Sequence, residues 1–244
     1  MCLVKRFHIH LVCIIETRVK SDKSVKIQGD ICPGWGFISN YEYHHLGKIW
    51  VCWDPNVLTV DIVIKSAQEI SCKIATIQEN LIWFHSFVYG ANKGIERRQL
   101  WHSLVLVKAI VASSPWLIGG DFIVVLCANE KWGQEQLNSY EIDFKDSLNN
   151  LEVADLNFSG CFFTWCNKQE GTCFVARKLD RVLANTAWMG IYGNTQVDFL
   201  EPGISDHSPY VVTVGKLKSF GPRPFKFFSF WPENADFLNW VEEG

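Results

Sequence analysis

The chain has 244 residues, of which 48% are hydrophobic and 20% are charged, and this balance excludes an intrinsically disordered protein. A formal net charge of −3 is not typical of a protein that binds nucleic acid non-specifically through a basic surface. Nine cysteines without a Cys-x-x-Cys pair indicate neither a disulfide framework nor a zinc site, so we expect a nuclear or cytoplasmic protein that is not secreted.

The first half of the chain is predicted to be mostly strand. Its apolar and alternating runs are rich in β-branched and aromatic residues, and their lengths are typical of strands. Residues 66–68 separate two of these runs as a predicted hairpin turn. The predicted strands cover residues 11–16, 49–53, 58–65, 69–77 and 83–89.

The hydrophobic period changes in the middle of the chain. Leu104, Val107 and Val111 recur at steps of three and four residues, which predicts a helix over residues 95–112 with one apolar face. A buried strand is predicted to follow directly, over residues 116–121.

The second half repeats this mixture of helix and strand. A helix is predicted over residues 139–151 with Ser139 as its N-cap, and residues 162–166 and 172–175 are predicted to form a hairpin around Gly171. Further predicted strands cover residues 179–183, 196–200 and 210–214. We therefore expect an α+β fold with two packed, mainly antiparallel sheets and helices outside them.

Two segments have an acidic residue at the boundary of an apolar strand. In the first, Gly119 and Gly120 allow a tight turn, so that Asp121 is expected to emerge into a cleft. In the second, Asp206 and His207 lie at a small-residue corner, where the acid can stabilise the protonated imidazole. Either segment alone could be an ordinary turn, but the two together are more specific.

These two segments resemble the signatures of the endonuclease/exonuclease/phosphatase superfamily, which ends one strand in Gly-Asp-Phe-Asn and carries a late Ser-Asp-His. Further blocks of the superfamily are matched in the right order along the chain. The matching residues of these blocks are Glu16, Tyr89, Asn92, Arg98 and Asp180. The resemblance implies a DNase I-like fold, a four-layer α/β sandwich.

The sequence of residues 162–167 resembles more specifically the endonuclease domains of plant LINE-type non-LTR retrotransposons, and an aromatic tail supports the same resemblance. We expect such a domain over residues 1–214, and a linker or tail toward a further domain over residues 215–244. The resemblance implies that the protein binds the DNA backbone and does not bind a membrane. We expect the protein to be a monomer. Basic clusters at residues 93–98 and 177–181 are either DNA contacts or solvated faces.

The resemblance also implies roles for individual residues. Glu16 and Asp206 would hold Mg²⁺ or Mn²⁺, hard cations that prefer oxygen ligands. Asp121 would orient or deprotonate the attacking water, His207 would contact the phosphate, and Asp180 would support the ion or its waters. The residues that would position the DNA backbone are Tyr89, Asn92 and Arg98.

Two departures from the superfamily pattern argue against full activity. The motif Asn is replaced by Ile123, which offers no hydrogen bond. Loss of one preorganised donor typically costs about 10² to 10³ in rate. The first strand of the superfamily, which supplies another Asn, is also expected to be absent.

Other interpretations of the same residues stay open. Glu16 could simply pair with Arg18, Tyr89 could be a core residue, and Asp180 could pair with a neighbouring arginine. The whole chain could be a non-catalytic remnant or an interaction scaffold, or a phosphatase or deadenylase of the same superfamily. The nuclease interpretation makes a specific prediction, which is convergence of the acids and His207 on one cleft at the strand ends.

Overall fold

A computed structural model describes residues 3–79, 81–133 and 136–215. The predicted tail at residues 215–244 lies, beyond its first residue, outside this part of the chain. No helix among the described residues is long and apolar enough to cross a membrane. The chain divides into two compact units, and each contains helices and strands.

The first unit consists of Met1–Ile123 and Leu179–Arg181. Its helices are α1 (Leu3–Arg6), α2 (Ser21–Ile31) and α3 (Gly94–Val111). Its strands are β1 (Leu11–Ile15), β2 (Gly36–Ser39), β3 (Ile49–Trp53), β4 (Leu58–Lys65), β5 (Glu69–Thr76), β6 (Ile82–Tyr89) and β7 (Trp116–Asp121). One antiparallel sheet has the order β1-β3-β2, while β4, β5, β6 and β7 are consecutive in another. The pairing of β6 with β7 is parallel, whereas β4, β5 and β6 pair antiparallel.

The two sheets of the first unit pack against each other, because β3 contacts both β5 and β6. Successive side chains of a strand point to opposite faces of the sheet. On β5 one face carries Ile70, Cys72 and Ile74, all fully buried, and the other carries Glu69 and Ser71. The apolar face fills the space between the sheets, and the polar face lies under α3.

A buried polar cluster lies between β5 and α3. The Glu69 carboxylate accepts hydrogen bonds from the hydroxyls of Ser71, at 3.2 Å, and Ser103. The Ser71 hydroxyl is 2.7 Å from that of Ser86, which accepts a hydrogen bond from the Trp116 indole at 3.0 Å. Burial raises the pKa of Glu69 to about 7, although the two serine hydrogen bonds act in the opposite direction.

The second unit consists of Val124–Lys178 and Val182–Gly244. Its helices are α4 (Ser139–Leu151), α5 (Thr186–Tyr192) and the 3₁₀ helices Ala128–Glu130 and Gly171–Cys173. Its strands are β8 (Val153–Asp155), β9 (Phe158–Gly160), β10 (Trp165–Cys166), β11 (Ala176–Arg177), β12 (Asp180–Asn185), β13 (Gln196–Phe199) and β14 (Tyr210–Thr213), although the first two residues of β12 belong to the first unit. Here β13 pairs antiparallel with β14 and parallel with β9, β10 pairs with β11, and the end of β12 pairs with β8.

Most predicted elements are confirmed to within one or two residues, with two corrections in the second unit. The predicted hairpin around Gly171 is confirmed, because β10 pairs antiparallel with β11, but its bounds of 162–166 and 172–175 are wrong, since the strands are shorter and residues 171–173 form a 3₁₀ helix. The N-cap of α4 is Asn138 and not Ser139, since the Asn138 side chain accepts hydrogen bonds from backbone amides of the first helical turn.

Three α-helices, α1, α2 and α5, were not predicted from the sequence. Along α2 only Ser24 and Gln28 are buried, so the helix has no apolar stripe for a periodicity argument to detect. The expectation that the first half is mostly strand is therefore wrong for residues 21–31.

We expect Glu69→Gln to stabilise the protein at pH 8 and to change its stability little at pH 5. A carboxyl whose pKa is raised on folding contributes stability at low pH, and that contribution is lost as the pH rises toward the folded pKa of about 7. The substitution removes this ionisation, so the stability lost between pH 5 and pH 8 should shrink by roughly 1 to 3 kcal/mol. Urea unfolding at both pH values measures the effect.

The matched control is Glu42→Gln, because the Glu42 carboxylate is exposed and pairs with Lys65 at 2.6 Å. This variant should not reduce the loss of stability between pH 5 and pH 8. An unchanged pH dependence in Glu69→Gln would contradict the proposed ionisation of the buried carboxyl.

Candidate active site

The buried carboxylate of Asp121 lies at the end of β7, beside the end of β6. The parallel register pairs Tyr89 with Asp121, and the amide of Gly90 donates to the Asp121 carbonyl at 2.8 Å. Gly120 allows this approach, because its φ is +144° and a Cβ there would clash with the carbonyl oxygen of Val88. The two motif residues are therefore neighbours on adjacent strands.

Ile123 adopts a backbone conformation that suits Asn better than Ile. Its φ of +54° lies in the left-handed region, which is strongly unfavourable for a β-branched residue. The amide of Ile123 donates to Oδ1 of Asp121 at 2.8 Å. The turn after β7 thus orients the Asp121 carboxylate through a backbone amide. The backbone conformation of this turn at position 123 is strained for Ile.

The Tyr89 hydroxyl lies near the Glu16 carboxylate, whose negative charge acts on it. The pKa of Tyr89 is raised to about 12, mainly by burial and then by the negative charges of Glu16 and Asp121. Tyr89 therefore stays protonated at neutral pH and acts as a hydrogen-bond donor. The Lys48 ammonium lies 4.7 Å from the centroid of the Tyr89 ring.

Glu16 directly follows β1 and is held by its backbone. Its amide donates to the Lys48 carbonyl at 2.8 Å, and the Thr17 hydroxyl donates to the Gly47 carbonyl at 3.1 Å. Nη2 of Arg18 donates to Oε1 of Glu16 at 2.7 Å. The ion pair with Arg18, left open as an alternative by the sequence, is therefore present together with the contact to the tyrosine hydroxyl.

Asn92 and Arg98 follow β6, one in the connecting loop and the other on α3, and both are exposed. The backbone amide of Ala91 donates a hydrogen bond of 2.6 Å to Oε1 of Gln68, and this bond anchors the loop. Arg97 is buried and donates to the Asn92 carbonyl at 3.1 Å. Arg97 therefore shapes the loop, and its interpretation as part of a solvated or DNA-contacting cluster is wrong.

Asp180 is the first residue of β12 and is buried. The carbonyl of the preceding residue, Leu179, accepts a hydrogen bond of 3.0 Å from the backbone amide of Phe122. This bond links the start of β12 to the turn that follows Asp121. Within the first unit, the sequence-predicted acids at positions 121 and 180 are thus held by neighbouring backbone segments.

Asp206 and His207 lie in the second unit, next to β10. The Trp165 indole donates to Oδ2 of Asp206 at 3.1 Å, and the amide of Cys166 donates to the Asp206 carbonyl at 3.1 Å. Trp165 also forms a β-bridge with His207. Asp206 is exposed and His207 is half-buried, and the convergence of this pair with the acids of the first unit stays a prediction.

The cationic cluster at residues 177–181 is largely buried. The Lys178 ammonium is 3.5 Å from the Asp155 carboxylate and 4.2 Å from the centroid of the Phe158 ring. Arg181 is fully buried. The interpretation of this cluster as a solvated face or a DNA contact is therefore wrong for both of these cations.

The acids of the first unit fit a hydrated divalent cation better than a fully coordinated one. In residues 3–79, 81–133 and 136–215, no group of three or more His, Cys, Asp or Glu could hold a metal ion. Mg²⁺ keeps several waters and commonly takes only one or two carboxylates together with substrate phosphates. Glu16, whose side chain is 37% exposed, is accessible to such an ion, whereas Asp121 is buried.

Sequence reasoning missed several residues that position this chemistry, namely Lys48, Gln68 and Trp165. Gln68 was assigned only to a turn, and Trp165 lies in the segment 162–167 that carries the resemblance but was given no role. The contacts of Gln68 and Trp165 are with residues that are distant along the chain. A polar residue next to a buried strand end was the available signal for Lys48 and Gln68.

Comparison with known proteins supports the motif-based interpretation at the level of the fold. No protein-family model and no curated protein matches the chain. Among solved structures, it is similar to the endonuclease domain of TRAS1, a telomere-specific non-LTR retrotransposon, with a TM-score of 0.61, 13% identity, and coverage of 86% of this chain and 100% of that one.

Two bacterial structures are also similar to this chain. An endonuclease/exonuclease/phosphatase family protein from Bacteroides thetaiotaomicron has a TM-score of 0.59 and 11% identity, over 88% of this chain and 87% of that one. The mannosyl-6-phosphatase Bt3783 of the same organism has a TM-score of 0.57 and 12% identity, over 87% of each chain. At identities this low the similarity shows the fold alone, and it confirms the predicted DNase I-like α+β class.

We expect Ile123→Asn to raise the free energy of unfolding by about 1 kcal/mol, because Asn tolerates a φ of +54° with less strain than Ile. Urea denaturation of the purified protein measures this change. Ile123→Gly relieves the same strain without adding an amide, and Ile123→Val keeps the branched Cβ. A Val variant more stable than the Asn variant would contradict backbone strain at this position.

Proposed function

We propose that this chain, whose fold is that of endonuclease/exonuclease/phosphatase proteins, is a Mg²⁺-dependent phosphodiesterase that nicks DNA. The observation that carries the proposal is the grouping of Glu16, Tyr89 and Asp121 at neighbouring strand ends. A hydrolytic function is supported by the endonuclease and phosphatase among the similar structures. DNA is the proposed substrate because the motifs resemble those of retrotransposon endonucleases, and TRAS1 is such a retrotransposon.

In this proposal Asp121 orients the attacking water. One of its carboxylate oxygens is already held by the amide of Ile123, at 2.8 Å, so the group does not need to reorganise during the reaction. The protonated Tyr89 hydroxyl serves as a donor to a phosphate oxygen. In the second unit His207 contacts the phosphate, and the Trp165 indole orients the neighbouring Asp206 carboxylate.

Glu16 is the proposed ligand of Mg²⁺ in the first unit, since its carboxylate is partly exposed. When bound, the ion would stabilise negative charge on the phosphoryl oxygens. Asp180 is buried behind the turn that carries Asp121, which suits an acid that fixes neighbouring groups and does not itself reach the substrate.

The activity of the chain is proposed to be lowered by Ile123. An Asn at this position would offer a side-chain amide next to the Asp121 carboxylate, whereas Ile offers only hydrocarbon. The same observation favours a second candidate function, a scaffold that keeps the fold without catalysing hydrolysis. A phosphatase acting on small phosphate esters is the third, because one similar structure is a mannosyl-6-phosphatase.

We expect Ile123→Asn to increase Mg²⁺-dependent nicking of supercoiled plasmid by about 10² or more, in a protein that also carries a superfamily-type first strand ahead of β1. The added amide restores the missing donor beside Asp121. Asp206→Ala or His207→Ala in the same protein should abolish the gain. Gel analysis of relaxed plasmid measures nicking, and release of inorganic phosphate from inositol phosphates measures the phosphatase alternative.

Ile123→Gly in the same background is the matched control, because it relieves the backbone at position 123 but supplies no amide. Its nicking rate should stay near that of the Ile123 protein. If Ile123→Asn leaves nicking at background in a folded protein that binds Mg²⁺, the assigned roles of residues 121 and 123 are wrong and the scaffold function is favoured.

A further inference from the structure

The carboxylate of Glu16 already has a cationic partner. Nη2 of Arg18 lies 2.7 Å from Oε1 of Glu16, within the range of a charge-assisted hydrogen bond. The Arg18 side chain is 77% exposed and that of Glu16 is 37% exposed, so the pair is reached from the solvent, as a hydrated cation would reach it.

The backbone keeps the two side chains together. Both Glu16 and Arg18 have positive φ, at +52° and +53°, so two of three consecutive residues occupy the left-handed region. Between them, Thr17 is bonded to the Gly47 carbonyl, and the Glu16 amide is bonded to the Lys48 carbonyl. The contact between Glu16 and Arg18 is therefore built into the segment.

The remaining surroundings of Glu16 are also arranged around its charge. The Tyr89 hydroxyl lies close enough to the carboxylate for the Glu16 charge to act on it. The Lys48 ammonium lies over the Tyr89 ring, 4.7 Å from its centroid. Of these partners Arg18 is the one whose side chain is largely in solvent.

We propose that Arg18 is an exchangeable counter-ion of Glu16, which neutralises the carboxylate until a divalent cation displaces the guanidinium. The inference rests on the proposed function, because it assigns Glu16 to the Mg²⁺ site. Displacement leaves the Arg18 charge beside the site, where the anionic substrate of a phosphodiesterase arrives. The Glu16–Arg18 pair thus sets the cation concentration at which the site fills.

The size of the effect follows from the exposure of the pair. Solvent-exposed ion pairs are weak, so a competing guanidinium lowers the cation affinity of the carboxylate by about two- to five-fold. Arg18→Ala should therefore bind Mn²⁺ about two- to five-fold more tightly than the unaltered chain. Arg18→Lys should fall between the two, since an ammonium keeps the charge but lacks the planar fork.

Titration of the purified full chain with Mn²⁺, followed by the electron paramagnetic resonance of the free ion, tests the inference without an activity assay. Lys20→Ala is the matched control, because it removes another exposed cation, two residues from Arg18. Its Mn²⁺ affinity should stay within about 1.5-fold of the unaltered chain. Glu16→Gln should lose the site in either background, and circular dichroism checks that each variant is folded.

Each outcome has a separate meaning. Tighter binding in Arg18→Ala but not in Lys20→Ala supports the counter-ion role. Equal affinity in the unaltered chain and Arg18→Ala, or weaker binding in Arg18→Ala, overturns that role and leaves the Mg²⁺ site of the proposed function standing. Absence of binding in all variants, or binding that persists in Glu16→Gln, overturns the assignment of Glu16 and with it this inference.

Discussion

The parallel pairing of β6 and β7 is the constraint on which the candidate site depends. Because both strands run in the same direction, their carboxyl ends meet at one edge, and the register sets Tyr89 beside Asp121. The close approach requires a glycine at position 120, since a Cβ would clash with β6. The reactive groups therefore owe their positions to backbone hydrogen bonds in the fully buried strand β7.

A carboxylate that is buried or placed near other carboxylates needs partners that stabilise its negative charge. The partners differ for each acid of this chain. Asp121 is buried and accepts the backbone amide of Ile123. Glu16 is partly exposed and is partnered by a guanidinium and a phenol. Glu69 has only serine hydroxyls, which offset burial incompletely, so its pKa rises to about 7.

The sequence predicted most of the secondary structure because burial leaves a periodic trace. The bounds of β3, β4, β7 and α4 agree with the prediction residue for residue, and of these elements β3, β7 and α4 have a buried face or are buried throughout. Helix α2 left no such trace because it buries only polar residues. The cap at Asn138 was displaced by one residue, since Ser139 is an equally good capping residue by composition.

By itself, the sequence determined which residues could carry the chemistry, because motifs such as Gly119-Gly120-Asp121 and Asp206-His207 are local and keep their order. Only the tertiary structure decided which charges face solvent. Arg181 reads as a surface cation and is fully buried. Arg97 reads as part of an exposed basic cluster and is buried. Burial and partner choice depend on segments that are far apart along the chain, and no local pattern records which segments meet.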